Sequence, residues 1–152
     1  MNNELETWAH VGVYGIYIKN LKVLLIKKSR GPYEGMFDLP GGKIEEGETL
    51  EQALRREFIE EVGCEIKDTH FLSVNEYSCK YKNPKEVLLN FHHTGTYFVV
   101  SLSSDDIKVG ADGEDSLGAQ FVDIKDLDNV KIAPIAKPMI FKAIKDNLWM
   151  RI

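Results

Sequence analysis

Glu57, Glu60 and Glu61 fall within a stretch, Leu50 to Val62, whose apolar residues Leu50, Leu54 and Phe58 step by four and call for burial. At about 100° per residue the three glutamates share an arc of about 100° that abuts the apolar stripe. Glu57 and Glu61, one turn apart, repel each other by a few tenths of a kcal/mol. The chain must therefore hold three carboxylates at the edge of a buried face, an arrangement that protons or cations have to relieve. Oxygen-only donors suit a hard cation, Mg²⁺ above all, or Mn²⁺. Taken alone, such a patch is more often a solvated helix face than a cation site.

The flanks define this helix. Thr49 with Gln52 three residues later predicts a capping box, and Gly63 supplies a left-handed stop. Before it, residues 29–48 carry Gly31-Pro32, Gly35, Pro40-Gly41-Gly42 and Gly47, the texture of a structured and functional loop. Strands are expected over Val11 to Ile18, Val23 to Lys27, Glu65 to Asn75, Val87 to Ser101 and Ala119 to Asp123, with a polar link near 76–86 and an acidic loop over 103–116. A second helix is expected from about Pro138, with Ile140, Ile144 and Leu148 along one side as core or as a dimer contact. Strands interleaved with helices predict an α/β (α+β) class with a mixed sheet.

The chain has 152 residues, no repeat and no low-complexity linker, so one domain over 1–152 is the working organisation. Its formal net charge of −5 argues against a protein that grips duplex phosphate backbones. Cys64 and Cys79 are too few for a disulfide scaffold, and a reducing cytoplasm is the expected home. No apolar run reaches the ~18 residues of a membrane helix.

Gly42, Glu48, Arg56, Glu57, Glu60, Glu61 and Gly63 stand at spacings that resemble the Nudix box without a gap. Seven such matches arise by chance roughly once in a million chains of this size. Phe58 and Cys64 occupy two apolar positions where aliphatic side chains are commoner. Leu39-Pro40-Gly41 resembles the family's approach to the catalytic helix, and Gly118 to Val122 its late closing strand.

The resemblance implies an α/β/α sandwich and metal-dependent hydrolysis of the diphosphate linkage in a small nucleotide derivative. That derivative would be a nucleoside triphosphate, a dinucleoside polyphosphate or a nucleotide sugar. Carried over by position, Glu57, Glu60 and Glu61 would be metal ligands with the carbonyl of Gly41, and Glu57 or Glu60 the general base. Arg56 and Glu48 would pair and orient the ligand carboxylates. Glu114 and Asp115 stand where members recruit a further acidic ligand, or they only keep their loop solvated. The alternative is a Nudix-like domain that senses a nucleotide without cleaving it.

Outside the box, Tyr81 lies 17 residues after Cys64, near the place of a tyrosine in relatives acting on dinucleoside polyphosphates. His92 and His93 must face opposite sides of their strand, so only one, taken as His92, is expected at a substrate pocket. Arg30 is expected to contact phosphates. Tyr77 and Phe91 are expected in the core.

Overall fold

The computed structural model describes residues 4–108 and 116–148. Glu114 and Asp115 lie outside the described residues. Two sheets carry the chain. The first has the order β5 (Gly41–Lys43), β1 (Thr7–Ile16), β7 (Leu88–Leu102), β6 (Ile66–Lys82). It is mixed, since β1 and β7 are parallel and the other pairs antiparallel. In the second, β3 (Lys22–Lys28) pairs antiparallel with β2 (Ile18–Lys19), β4 (Phe37–Asp38) and β8 (Ser116–Asp123).

Strand alternation divides the core in two. Val13 and Tyr17 join Leu24, Ile26, Phe98 and Val100 beneath α1 (Leu50–Val62). Tyr14 and Ile16 join Val23, Leu25, Tyr97 and Val99 on the opposite side, with α2 (Lys137–Lys145) burying Met139, Ile140 and Ala143 there. Both faces of β1 and β3 are thus apolar, as strands covered on two sides require. The fold is α+β, a mixed sheet between helices. Gly15 lets α1 approach: a Cβ there would stand 2.6 Å from the Phe58 ring.

The first helix begins and ends as its sequence predicts. The Thr49 hydroxyl accepts from Gln52 N, the Gln52 side chain accepts from Thr49 N, and Gly63 takes φ 74° with its N–H on Ile59 and Phe58 carbonyls. Its buried face differs from the expected stripe. Ala53, Leu54, Phe58, Glu61 and Val62 are buried, whereas Leu50 is 39% exposed. Glu61 lies at the middle of the buried face rather than at its edge.

Strand limits also differ. The expected polar link near 76–86 is mostly strand. β6 runs to Lys82, pairing through Lys82↔Leu88, and turns within residues 83–87. Tyr77, Cys79 and Tyr81 pack on the core while Glu76, Ser78, Lys80 and Lys82 face away, a half-buried alternation masked by its polar half. β1 starts four residues early, at Thr7, because Trp8 and His10 pair alongside Phe91 and His93. Among the described residues no helix is long and apolar enough to cross a membrane.

Removing the helix cap isolates its contribution. Thr49→Ala should lower unfolding free energy by about 1 kcal/mol, read as a lower urea midpoint at unchanged m-value.

Candidate functional site

The acidic residues meet where β5 runs beneath α1. Gly41 has φ 143° and a Cβ there would lie 2.1 Å from the Val13 carbonyl; a Cβ on Gly42 would lie 2.9 Å from Glu57 Oε1. Two glycines therefore let the strand pass between β1 and the helix carboxylates. Gly41 N–H donates to Glu61 Oε1 at 2.9 Å, satisfying one oxygen of a side chain that is only 4% exposed.

Arg56 organises the rest. Its Nε donates to Glu48 Oε2 at 2.8 Å and Nη2 to Glu48 Oε1 at 2.9 Å, a two-pronged pairing that suits a planar guanidinium. Nη1 reaches Glu57 Oε1 at 3.0 Å and Glu60 Oε2 at 3.3 Å, and Nη2 also reaches the Lys43 carbonyl at 3.0 Å. The fork holds Glu48 below the usual carboxylate range. Its acidic partners, Glu48 first, push Arg56 further up.

The three helix glutamates thus sit in different surroundings. The Glu60 side chain is 52% exposed, that of Glu57 15%. Burial raises the Glu57 pKa above its ordinary value, against the opposing pull of Arg56. The Glu61 carboxyl lies close enough to Glu57 to favour its ionised form, a neighbourhood two carboxylates tolerate best with a proton or a cation between them. Among the described residues no three His, Cys, Asp or Glu side chains are gathered as a metal cage. Arg56 stands between Glu57 and Glu60 instead.

A cavity of about 520 Å³ lies on the Tyr14 side of β1, within the usual range for small-molecule pockets; none of the four glutamates lines it. Tyr14 and Asp38 line its inner end, and Tyr14 pairs in register with Gly41. Lys28, Arg30 and Tyr33 form one wall; Trp8, Tyr81, Leu89 and Asn83 form the far end. Of the residues expected here from sequence, Arg30 and Tyr81 line the cavity and His92 does not. His92 points to the other face of β7, bonded to Ser78 Oγ at 2.7 Å, and strand alternation puts His93 at the cavity in its place.

His93 is the buried hub of the cavity floor. Its Nε2 meets Tyr14 Oη and its Nδ1 meets Tyr33 Oη, both at 2.8 Å. A neutral imidazole has one donor and one acceptor nitrogen, so one tyrosine donates to it and the other accepts from it. Burial, with His10 and Lys28 nearby, pushes its pKa down to about 3. Sequence reasoning missed this group, although a signal existed. Trp8, His10, Gly12 and Tyr14 on β1 repeat as Phe91, His93, Gly95 and Tyr97 on β7, paired residue for residue. Each glycine makes room for the tyrosine two positions on, which folds back over it.

The cysteines take no part. Cys64 is buried with its Sγ on the Asp106 carbonyl, and burial pushes both thiols up, away from the thiolate a nucleophile needs.

The NUDIX domain model matches residues 7–143. This chain belongs to the NUDIX family. Over 117 residues the NUDIX chain is 37% identical to an ADP-ribose pyrophosphatase of Methanocaldococcus jannaschii, covering 77% of this chain and 63% of that protein. It is 41% identical over 76 residues to an RNA pyrophosphohydrolase of Haemophilus ducreyi, covering 50% of this chain and 38% of the relative. It therefore spans less than two thirds of either curated relative. The crystal structure of a MutT NUDIX hydrolase from Burkholderia pseudomallei superposes with a TM-score of 0.72 at 21% identity, over 89% of this chain and 98% of that one. That likeness shows the shared fold.

The histidine hub has a thermodynamic signature. Between pH about 6.5 and 3 the unfolded chain binds a proton at His93 that the folded chain refuses, so this residue lowers stability as pH falls through that window. His93→Phe loses both tyrosine bonds but is free of this effect. The stability gap between wild type and His93→Phe should shrink by about 1–2 kcal/mol from pH 7 to pH 5, measured by urea unfolding; a constant gap would refute the buried neutral imidazole.

Proposed function

We propose that this NUDIX chain, acting as one domain over residues 1–152, is a metal-dependent pyrophosphohydrolase that cleaves the diphosphate linkage of a nucleoside diphosphate derivative. The observation that carries the reading is the gathering of Glu48, Glu57 and Glu60 on Arg56, together with a cavity that presents Lys28 and Arg30 and reaches Tyr14, the register partner of Gly41. An anionic linkage can settle against those cations while its reacting end faces the acids. The activities in the relatives' names, on ADP-ribose and on RNA, belong to the same reaction class and support the choice.

The donor set fits a hard divalent cation such as Mg²⁺ or Mn²⁺. All its side-chain donors are oxygens, and the guanidinium bonded to Glu57, that of Arg56, is shared with Glu48 and Glu60, so one cation faces several carboxylates. Glu57 and Glu61 would hold the ion, with Glu60 and the Gly41 carbonyl available beside them. When bound, such an ion would neutralise diphosphate charge and polarise the phosphoryl oxygen under attack.

The chain's own residues would do the rest. Arg56, anchored by Glu48, fixes the Glu57 carboxylate. Glu57 is then positioned to take the proton of the attacking water, and its raised pKa brings it nearer a working base. Activity should accordingly be lost as pH falls through the Glu57 pKa, where the carboxylate becomes protonated. Along β1, Tyr14 and Trp8 lie six residues apart, about 20 Å of extended strand. That reach suits a nucleotide with groups on both sides of its diphosphate better than a compact nucleoside triphosphate.

The test is a hydrolysis screen over nucleoside triphosphates, dinucleoside polyphosphates and nucleotide sugars including ADP-ribose, with Mg²⁺ and ¹⁸O-labelled water. Glu57→Gln and Glu61→Gln should each lower turnover at least about 100-fold. Glu57→Gln should also raise the thermal midpoint at pH 7. A carboxyl whose pKa is raised on folding stabilises the protein below its unfolded pKa, and that contribution is gone once pH exceeds the folded value. Turnover that survives both substitutions or chelation would sink the proposal. Nucleotide binding without any turnover would favour a sensing domain.

A further inference from the structure

At the end of the cavity away from the acids, the β6–β7 hairpin turns through Asn83. Its backbone N–H donates to the Val87 carbonyl, its carbonyl accepts from Glu86 N–H, and Glu86 takes φ 64° to close the turn. The Asn83 side chain is also committed. Oδ1 accepts from Lys85 N at 2.9 Å and from Val87 N at 3.0 Å. Two backbone donors on one oxygen fix which end of the amide is which, because an NH₂ group could accept neither. The two Nδ2 hydrogens are therefore turned away from the turn, and among the described residues no acceptor takes them. Asn83 stands two residues beyond Tyr81, on the same side of the hairpin, and both line the cavity.

Planar rings line the same cavity as Asn83. Trp8, 39% exposed, leans on Phe91 with ring centres 5.0 Å apart and on Tyr81 at 6.0 Å. The cavity thus has a polar, charged end at Asp38, Lys28 and Arg30, and an aromatic end that offers one oriented amide donor. A nucleotide has the same polarity: anionic phosphate at one end, and at the other a flat base whose edge carries hydrogen-bond acceptors.

We infer that Asn83 is a specificity-determining residue, its Nδ2 group donating to an acceptor on the edge of a nucleobase packed against Trp8 and Tyr81. The inference rests on the proposed nucleotide reading and adds where the base lies and which side chain reads it. The Asx turn is what makes the reading directional: the same side chain that shapes the hairpin presents only donors to the ligand.

Asn83→Asp separates the two roles. The carboxylate still accepts from Lys85 and Val87, so the turn is kept, but the donors become acceptors. The probe is adenosine, which is uncharged, so the added negative charge does not act through phosphate repulsion. Binding is followed by calorimetry, with ribose 5-phosphate as a ligand lacking a base. Wild type should bind adenosine, and Asn83→Asp should weaken it about tenfold or more, with an unchanged thermal midpoint and with ribose 5-phosphate affected no more than its charge requires. Trp8→Ala should weaken adenosine as well.

Adenosine bound equally by wild type and Asn83→Asp would overturn the role of Asn83 while leaving the pyrophosphohydrolase reading intact. No adenosine binding by wild type at millimolar concentration would overturn the base assignment of this end, whatever the hydrolysis screen shows. Loss of all hydrolysis with adenosine binding retained would strike the proposed function and not Asn83.

Discussion

The guanidinium of Arg56 is the interaction on which the rest of the site depends. Four glutamates, Glu48, Glu57, Glu60 and Glu61, are brought near one another by a helix and the loop that leads into it, and three of them are bonded to this single cation. Without it the loop end at Glu48 would have no tether to the helix, and Glu57 would face Glu61 with no positive charge beside it. The pairing has geometric consequences upstream. Arg56 also reaches the Lys43 carbonyl, so β5 is drawn under the helix; only glycine fits at 41, and a side chain at 42 would displace the Glu57 carboxylate. The Pro40-Gly41-Gly42 run, the loop glutamate and the helix arginine are thus parts of one packing solution.

A second polar assembly, more deeply buried, shapes the cavity. His93 joins Tyr14 on β1 to Tyr33 in the loop after β3. Such a network is favourable only when each member is satisfied, since an unpaired polar group in this environment costs about 1–3 kcal/mol. The Tyr97 hydroxyl beside it is buried with no partner among the described residues. The floor of the cavity is therefore rigid through hydrogen bonds that a proton on His93 would disrupt, and burial keeps that proton away at physiological pH.

Most of the first helix was legible in the sequence because its signals are local. A cap at Thr49, a stop at Gly63 and the 3.6 period each involve residues within a few positions of one another. The cavity was much less so. Trp8, Asn83 and His93 come together only through the parallel register of β1 with β7 and the length of the β6–β7 hairpin, and neither follows from one strand read alone. Tyr77 to Lys82 reads as a polar link because the outward half of the strand is serine and lysine. The pattern shared by residues 8–14 and 91–97 would have placed His93 correctly, had the two strands been compared as partners. Strand alternation admits one of the neighbours His92 and His93 to the cavity and does not say which, so the expectation of His92 had no physical preference over His93.

Net charge and local charge pull in opposite directions in this chain. At −5 overall, the protein repels an anion at long range, but beyond about 10 Å that repulsion is largely screened at physiological salt. What an arriving phosphate meets is the cavity wall with Lys28 and Arg30. Arg56, the other cation nearby, is not available to it. Its Nε and both Nη nitrogens are already directed at Glu48, Glu57, Glu60 and the Lys43 carbonyl, and pulling it toward a phosphate would strip those acids of their compensation. One guanidinium thus serves Glu48, Glu57 and Glu60 at once, with Glu61 close by, and this surplus of carboxylate over cation is what the proposed divalent ion would offset.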